Sequence, residues 1–113
     1  MNWNRLTSEE QLQIIREESN TQPVVIFKHS TTCSISNMML SRFERSWKAE
    51  EVPTVKAYYL DLKAFRAVSN GVASVFHTEH QSPQVLVIRN GQAVHVASHS
   101  AIDFEEVKAA AAQ

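Results

Sequence analysis

The sequence predicts a small α/β domain with a mixed sheet flanked by helices, and three observations lead there. A continuous apolar run, Val24-Val25-Ile26-Phe27, meets a polar loop and then an amphipathic helical pattern. Asn90-Gly91 stands between two short runs of β-forming residues. Helical patterns also open and close the 113 residues, a length that suits one domain with a real core.

Each element has its own signal. Thr7-Ser8-Glu9-Glu10 reads as a capping box, with the Thr7 hydroxyl accepting from the Glu10 region and the Glu10 carboxylate reaching back. Leu12 and Ile15 supply the apolar stripe of a helix running to about Glu18, which Asn20 to Pro23 breaks. Val24 to Phe27 has the unbroken hydrophobicity of a strand buried on both faces. Ile35, Met39, Phe43 and Trp47, with Met38 beside them, predict a helix from about Ser34 to Lys48 that turns this stripe to the core. Thr54 to Leu60, rich in valine and tyrosine, predicts a second strand. It runs parallel to the first if the helix between them is a right-handed crossover. Asp61 to Ala67 reads as loop, and Ser69 as the N-cap of a short helix through Val72, Val75 and Phe76. Pro83 opens a third strand, Gln84 to Arg89. Asn90-Gly91 turns the chain into a fourth, Gln92 to Ala97. Ser100-Ala101-Ile102-Asp103 starts a closing helix with Ile102, Val107 and Phe104 inward. The order α-β-α-β-α-β-β-α, with a four-stranded mixed sheet, is the thioredoxin-like arrangement.

Composition excludes several functions. A net charge of −1 without a basic run argues against nucleic acid, whose phosphates call for a basic face. No stretch approaches the roughly 18 apolar residues of a membrane span, and Met1 to Arg5 lacks the apolar centre of a signal peptide. A single cysteine forms no internal disulfide, so the cytoplasm is the expected location. A zinc site built on His77, Glu79 and His80 is not expected, because their spacing fits no ligand pattern.

Cys33 is the residue that chemistry would use. It stands where the loop becomes the helix, facing unpaired N–H groups and the positive end of the helix dipole, a placement that favours the thiolate. Thr32, Ser34 and Ser36 add hydroxyls that could bond the sulfur anion. The alternative is a small buried apolar side chain, the fate of many free cysteines. In Cys33-Ser34-Ile35-Ser36 the resolving position of a dithiol enzyme is held by Ser36. A mixed disulfide on Cys33 therefore needs an external thiol for release. His29 has two open readings, a cation near the thiolate or a hydrogen-bonding post for the loop. Lys28, ending the first strand, could bring positive charge near the thiol, though lysine at such a place is more often solvated. In thioredoxin folds the peptide bond before the proline opening the third strand is cis and lies against the cysteine. Ser82-Pro83 occupies that place, which would turn the Ser82 backbone outward for an extended ligand.

Three stretches together resemble the monothiol bacilliredoxins, the YtxJ-like family of the bacillithiol system. They are Phe27-Lys28-His29-Ser30-Thr31-Thr32-Cys33-Ser34-Ile35-Ser36, Val68-Ser69-Asn70, and His80-Gln81-Ser82-Pro83-Gln84-Val85-Leu86 continuing to Ala97-Ser98-His99. The family typically carries proline after the cysteine, where this chain has Ser34. The resemblance implies a thiol–disulfide oxidoreductase without a tightly bound cofactor, using bacillithiol as co-substrate. Its partners would be bacillithiolated proteins, with bacillithiol or another redoxin as reductant. Cys33 would be catalytic. Thr32, Ser34, Ile35, Ser36, Ser82, Pro83, Ser98 and His99 would form the binding surface. The chain is expected to act as a monomer, away from membranes. Two other functions stay open: a thiol-dependent iron–sulfur carrier of the monothiol glutaredoxin kind, for which bulky Ile35 leaves little room, and a thioredoxin-fold binding module without chemistry.

Overall fold

The computed structural model describes all residues from Met1 to Gln113. Its centre is strand β2 (Val24–His29), every residue of which is buried, as its apolar run demands. On one side β2 pairs in parallel with β3 (Lys56–Asp61), placing Val24 beside Lys56 and His29 beside Asp61. On the other it pairs antiparallel with β4 (Gln84–Arg89), Lys28 facing Gln84. Strand β5 (Gln92–Ser98) returns along β4, with Ser98 beside Gln84. The turn between them, Asn90-Gly91, has φ values of 51° and 76°, the positive pair that a tight hairpin requires and that this dipeptide adopts cheaply. Its tip is tied to the first helix, because Gly91 N–H donates to Ser19 Oγ at 2.8 Å.

The sheet has five strands, not four. Residues Trp3–Arg5 form β1 at the edge, parallel to β3, giving the order β1-β3-β2-β4-β5. Three residues are too short to show a period. Side chains hold them: Trp3 Nε1 donates to Glu44 at 2.8 Å, and the Arg5 guanidinium lies 4.5 Å over the Tyr59 ring.

Helices cover both faces. Helices α2 (Ser34–Ser46) and α4 (Phe104–Ala111) pack Met39, Phe43, Phe104 and Val107 against Val25, Phe27, Val85 and Val87. Helices α1 (Glu10–Glu18) and α3 (Arg66–Val75) pack Leu12, Ile15, Val68 and Val72 against Val24, Ile26, Leu86 and Ile88. Alternation along β2 thus divides the core. No helix is long and apolar enough to cross a membrane.

Several boundaries differ from the sequence expectation. The first helix has no Thr7–Glu10 capping box. Gln11 reaches back instead, its Oε1 accepting from Thr7 N–H at 2.7 Å and Ser8 N–H at 3.0 Å. Strand β3 begins at Lys56, not Thr54, since Val55 N–H still closes a turn on Val52 O. Helix α3 begins at Arg66, so Ser69 is a buried residue inside it and not its cap. The Asp61 carboxylate makes the turn before it, accepting from Lys63 and Ala64 N–H. Helix α2 stops at Ser46, where Trp47 turns extended and packs between Phe43 and Phe104. Its stripe is also only partly core: Met39 and Phe43 are buried, but Ile35 and Met38 are 51% and 60% exposed. Asp103 caps α4, its carboxylate accepting from Glu106 N–H at 3.2 Å.

Candidate active site

The register brings four connections to one end of the sheet. The C-terminal ends of β2 and β3 lie beside the N-terminal end of β4 and the C-terminal end of β5. Segments 30–33, 61–65, 78–83 and 98–101 therefore share that end. Backbone bonds join them: Leu62 N–H donates to His29 O at 3.0 Å, and His99 N–H to Pro83 O at 3.0 Å.

Cys33 is partly exposed and is the N-cap residue of α2, in extended backbone. Its N–H closes a turn on Ser30 O at 3.2 Å, and its carbonyl accepts from Asn37 N–H at 3.0 Å. The N–H groups of Ser34, Ile35 and Ser36 find no backbone acceptor, as expected in a first helical turn. The Cys33 side chain makes no capping bond.

Two of the three hydroxyls expected to bond the sulfur, those of Ser36 and Thr32, have partners elsewhere. Ser36 is fully buried. Its Oγ accepts from Ser30 N–H at 3.0 Å and lies 2.7 Å from His29 Nδ1. Ser36 therefore pins the loop from inside and reaches no substrate, a correction to its place among the binding residues. Thr32 is exposed, and its Oγ1 accepts from Lys63 Nζ at 3.0 Å. Ser34 and Ile35 are exposed beside the thiol. Lys63 is the residue that the sequence did not single out: it comes from the turn after β3, thirty-one positions away, and only the folded chain brings it to Thr32.

His29 is the loop's post. Its ring is buried, and burial pushes its pKa below the ordinary histidine range, opposed by Asp61, Asn37 and Glu44. A lowered pKa keeps the ring mostly neutral at pH 7, hydrogen-bonded through Nδ1 to the Ser36 hydroxyl, and so disfavours an imidazolium beside the thiol.

At the same end of the sheet, the Ser82–Pro83 bond is cis. Pro83 is buried and Ser82 half-buried, and neither Ser82 N–H nor its carbonyl has a backbone partner. Ser98 is half-buried. His99 is exposed, with a positive φ of 54°, a conformation uncommon outside glycine.

Lys28 is not solvated. It is fully buried, its Nζ 3.0 Å from His80 Nδ1, and burial lowers its pKa to about 8. His77, Glu79 and His80 do not converge as metal ligands.

The arrangement offers one partly exposed thiol at a helix start, free backbone donors around it, a serine at the resolving position, and unpaired backbone groups at Ser82. Residues 4–107 match the family described as monothiol bacilliredoxin BrxC. A solved structure described as a candidate oxidoreductase with a thioredoxin fold is 29% identical. The match covers 94% of this chain and 90% of that one, with a TM-score of 0.78. Thioredoxin from Malassezia sympodialis is 20% identical over 99% and 90% of the two chains, with a TM-score of 0.74. Thioredoxin from Fasciola hepatica is 16% identical over 96% of each, with a TM-score of 0.71.

Proposed function

The chain belongs to the monothiol bacilliredoxin family of thioredoxin-fold thiol–disulfide oxidoreductases, and from that premise we propose that it removes bacillithiol from protein thiols through Cys33. The observation that carries this reading is the pairing of a partly exposed Cys33 with a buried, fully engaged Ser36 at the resolving position.

The Cys33 sulfur attacks the bacillithiol sulfur of the mixed disulfide. The bond to the protein sulfur breaks, and that sulfur leaves as a thiolate and takes up a proton. Bacillithiol stays on Cys33. Ser36 has no sulfur to displace it, so a second thiol, from bacillithiol or another redoxin, attacks the adduct, leaves as the new disulfide and returns Cys33. Bacillithiol brings two malate carboxylates. The unpaired N–H groups of Ser34 and Ile35 and the exposed His99 support their binding, since helix N-termini favour anions. The substrate chain is placed along Ser82, whose free N–H and carbonyl suit an extended segment, with Pro83 and Ser98 behind it and Thr32 and Ile35 at the other side of the thiol. The cytoplasm, and action as a monomer, complete the proposal.

The test is the intact mass after mixing the protein with a bacillithiol-modified peptide. The expected result is one bacillithiol on the wild type, a freed peptide, and no change in Cys33→Ser. An unmodified wild type whose Cys33 still alkylates with iodoacetamide would remove bacillithiol from the account.

A further inference from the structure

Lys28 is a buried cation that the fold does not need. It sits in a strand whose neighbours on the same face, Val24 and Ile26, are apolar and fully buried. None of the four ion pairs of the chain includes it. A methionine of similar length would fill that space without desolvating a charge, and a buried charge without a counter-ion opposes folding. Where a residue opposes the fold it stands in, function is the usual reason.

Its one side-chain partner shows what that function touches. Lys28 Nζ contacts His80 Nδ1 at 3.0 Å, and Ser69 Oγ of α3 lies 3.5 Å from the same nitrogen. His80 itself is exposed, so apolar burial does little to fix its ring; the ammonium does. A ring that accepts at Nδ1 is neutral. Burial, then the nearby charges of Lys28 and of Arg66 on α3, push His80 below the ordinary histidine pKa in the same sense. Beside this contact, Gln84, directly opposite Lys28 in the sheet, donates its Nε2 to Glu79 O at 3.0 Å. The segment from Glu79 is therefore held from below at two adjacent residues. It leads straight into Ser82, whose backbone is unpaired.

We propose that Lys28 and His80 are positioning residues: the buried ammonium holds the His80 ring, and through it segment 79–83, so that the free backbone of Ser82 is presented to a substrate chain beside Cys33. This rests on the reading of Cys33 as an exchanging thiol, not on which small thiol it exchanges.

The experiment uses a short peptide whose cysteine is activated as a thiopyridyl disulfide. Cys33 attacks the peptide sulfur and thiopyridone leaves, so bacillithiol takes no part. Rates are measured against peptide concentration for the wild type, Lys28→Met, His80→Leu and His80→Asn, with iodoacetamide alkylation and melting temperature alongside. Lys28→Met is expected to raise the half-saturating peptide concentration about tenfold. Its limiting rate and its alkylation should stay within about twofold, and its melting point should not fall. His80→Leu should match it, and His80→Asn, which keeps an acceptor near Nδ1, should stay close to wild type. Unchanged half-saturation in both Lys28→Met and His80→Leu would overturn the proposal. So would an equal slowing of alkylation, which would place the effect on the thiol. If Lys28→Met does not fold, exposed His80→Leu carries the test. A bacillithiol adduct that fails to form, with these peptide results intact, would remove only the small-thiol assignment.

Discussion

Two adjacent residues of β2, Lys28 and His29, are both buried and polar, yet they face opposite sides of the sheet and are held in opposite ways. His29 points toward α2. Its ring bonds Ser36, whose hydroxyl also takes the Ser30 N–H, and it packs 5.7 Å from the Tyr59 ring. Lys28 points toward α3 and meets one exposed histidine. His29 thus secures the loop that carries Cys33, and Lys28 the segment that carries Ser82. One anchor is neutral and hydrogen-bonded to a buried hydroxyl, the kind that adds stability. The other is a desolvated cation, the kind that costs it. Polar burial at the end of one strand therefore serves two purposes, and stability measurements should separate them.

The largest effect expected is at the residue between the anchors. Cys33→Ser should slow release of the peptide thiol from a mixed disulfide by at least about 10³-fold, followed with a thiol-reactive dye. The melting point should change little, because the side chain makes no capping bond. The neutral anchor comes next. Ser36→Ala leaves the Ser30 N–H and His29 Nδ1 buried without their partner. It should lower unfolding free energy by about 1–3 kcal/mol in urea titration. A loss below about 0.5 kcal/mol would mean that water replaces the hydroxyl and the contrast with Lys28 is blunted.

The cation gives a pH signature of its own, in the alkaline range. Its pKa is about 8 in the fold against an ordinary 10.5. Between those values the unfolded chain holds the extra proton, so stability rises with pH across that window. Below about 8 both states are charged and the full penalty stands. From pH 7.5 to 9.5 the wild type should gain about 2 kcal/mol relative to Lys28→Met. The raised tyrosine pKa values of Tyr58 and Tyr59 are common to both proteins and cancel in the difference. His29, lowered by burial, acts at the other end: its contribution is intact above the ordinary histidine value near 6.5 and falls as acid protonates the unfolded chain first. The smallest effect is on α2. Met38→Ser should alter stability by less than about 0.5 kcal/mol, whereas Phe43→Ala on the same helix should cost about 3–5 kcal/mol.

That last pair also shows where sequence reading stops. Strand β2, the helix behind Cys33, the proline at 83 and the Asn90-Gly91 hairpin were legible because each is a local pattern. The apolar stripe of α2 was legible only at its middle. Residues four apart advance about 400° on a helix and so drift about 40° per step. With Met39 and Phe43 facing the sheet, Ile35 is carried to the rim beside the thiol. Strand β1 has no pattern to read, since its hold is cross-chain: Trp3 on Glu44 and Arg5 on Tyr59. Lys28 read as solvated because lysine usually is. Only the neighbouring His80, fifty-two positions later, reveals it as buried. Lys63 at Thr32 was hidden for the same reason. In the sequence Ser36 marks a missing resolving thiol, but its second duty, holding His29 and Ser30, follows from the fold alone.

The central claim, a single exchanging thiol with no resolving partner inside the chain, is tested most directly by counting. Bacillithiolated peptide is added in about tenfold excess to reduced protein with no other thiol present, and freed peptide thiol is followed to completion. The account predicts a burst of one thiol per protein chain and then a halt, with turnover resuming when bacillithiol is added. Continued release without added thiol, or no burst at all from a protein whose Cys33 is reduced, would contradict it.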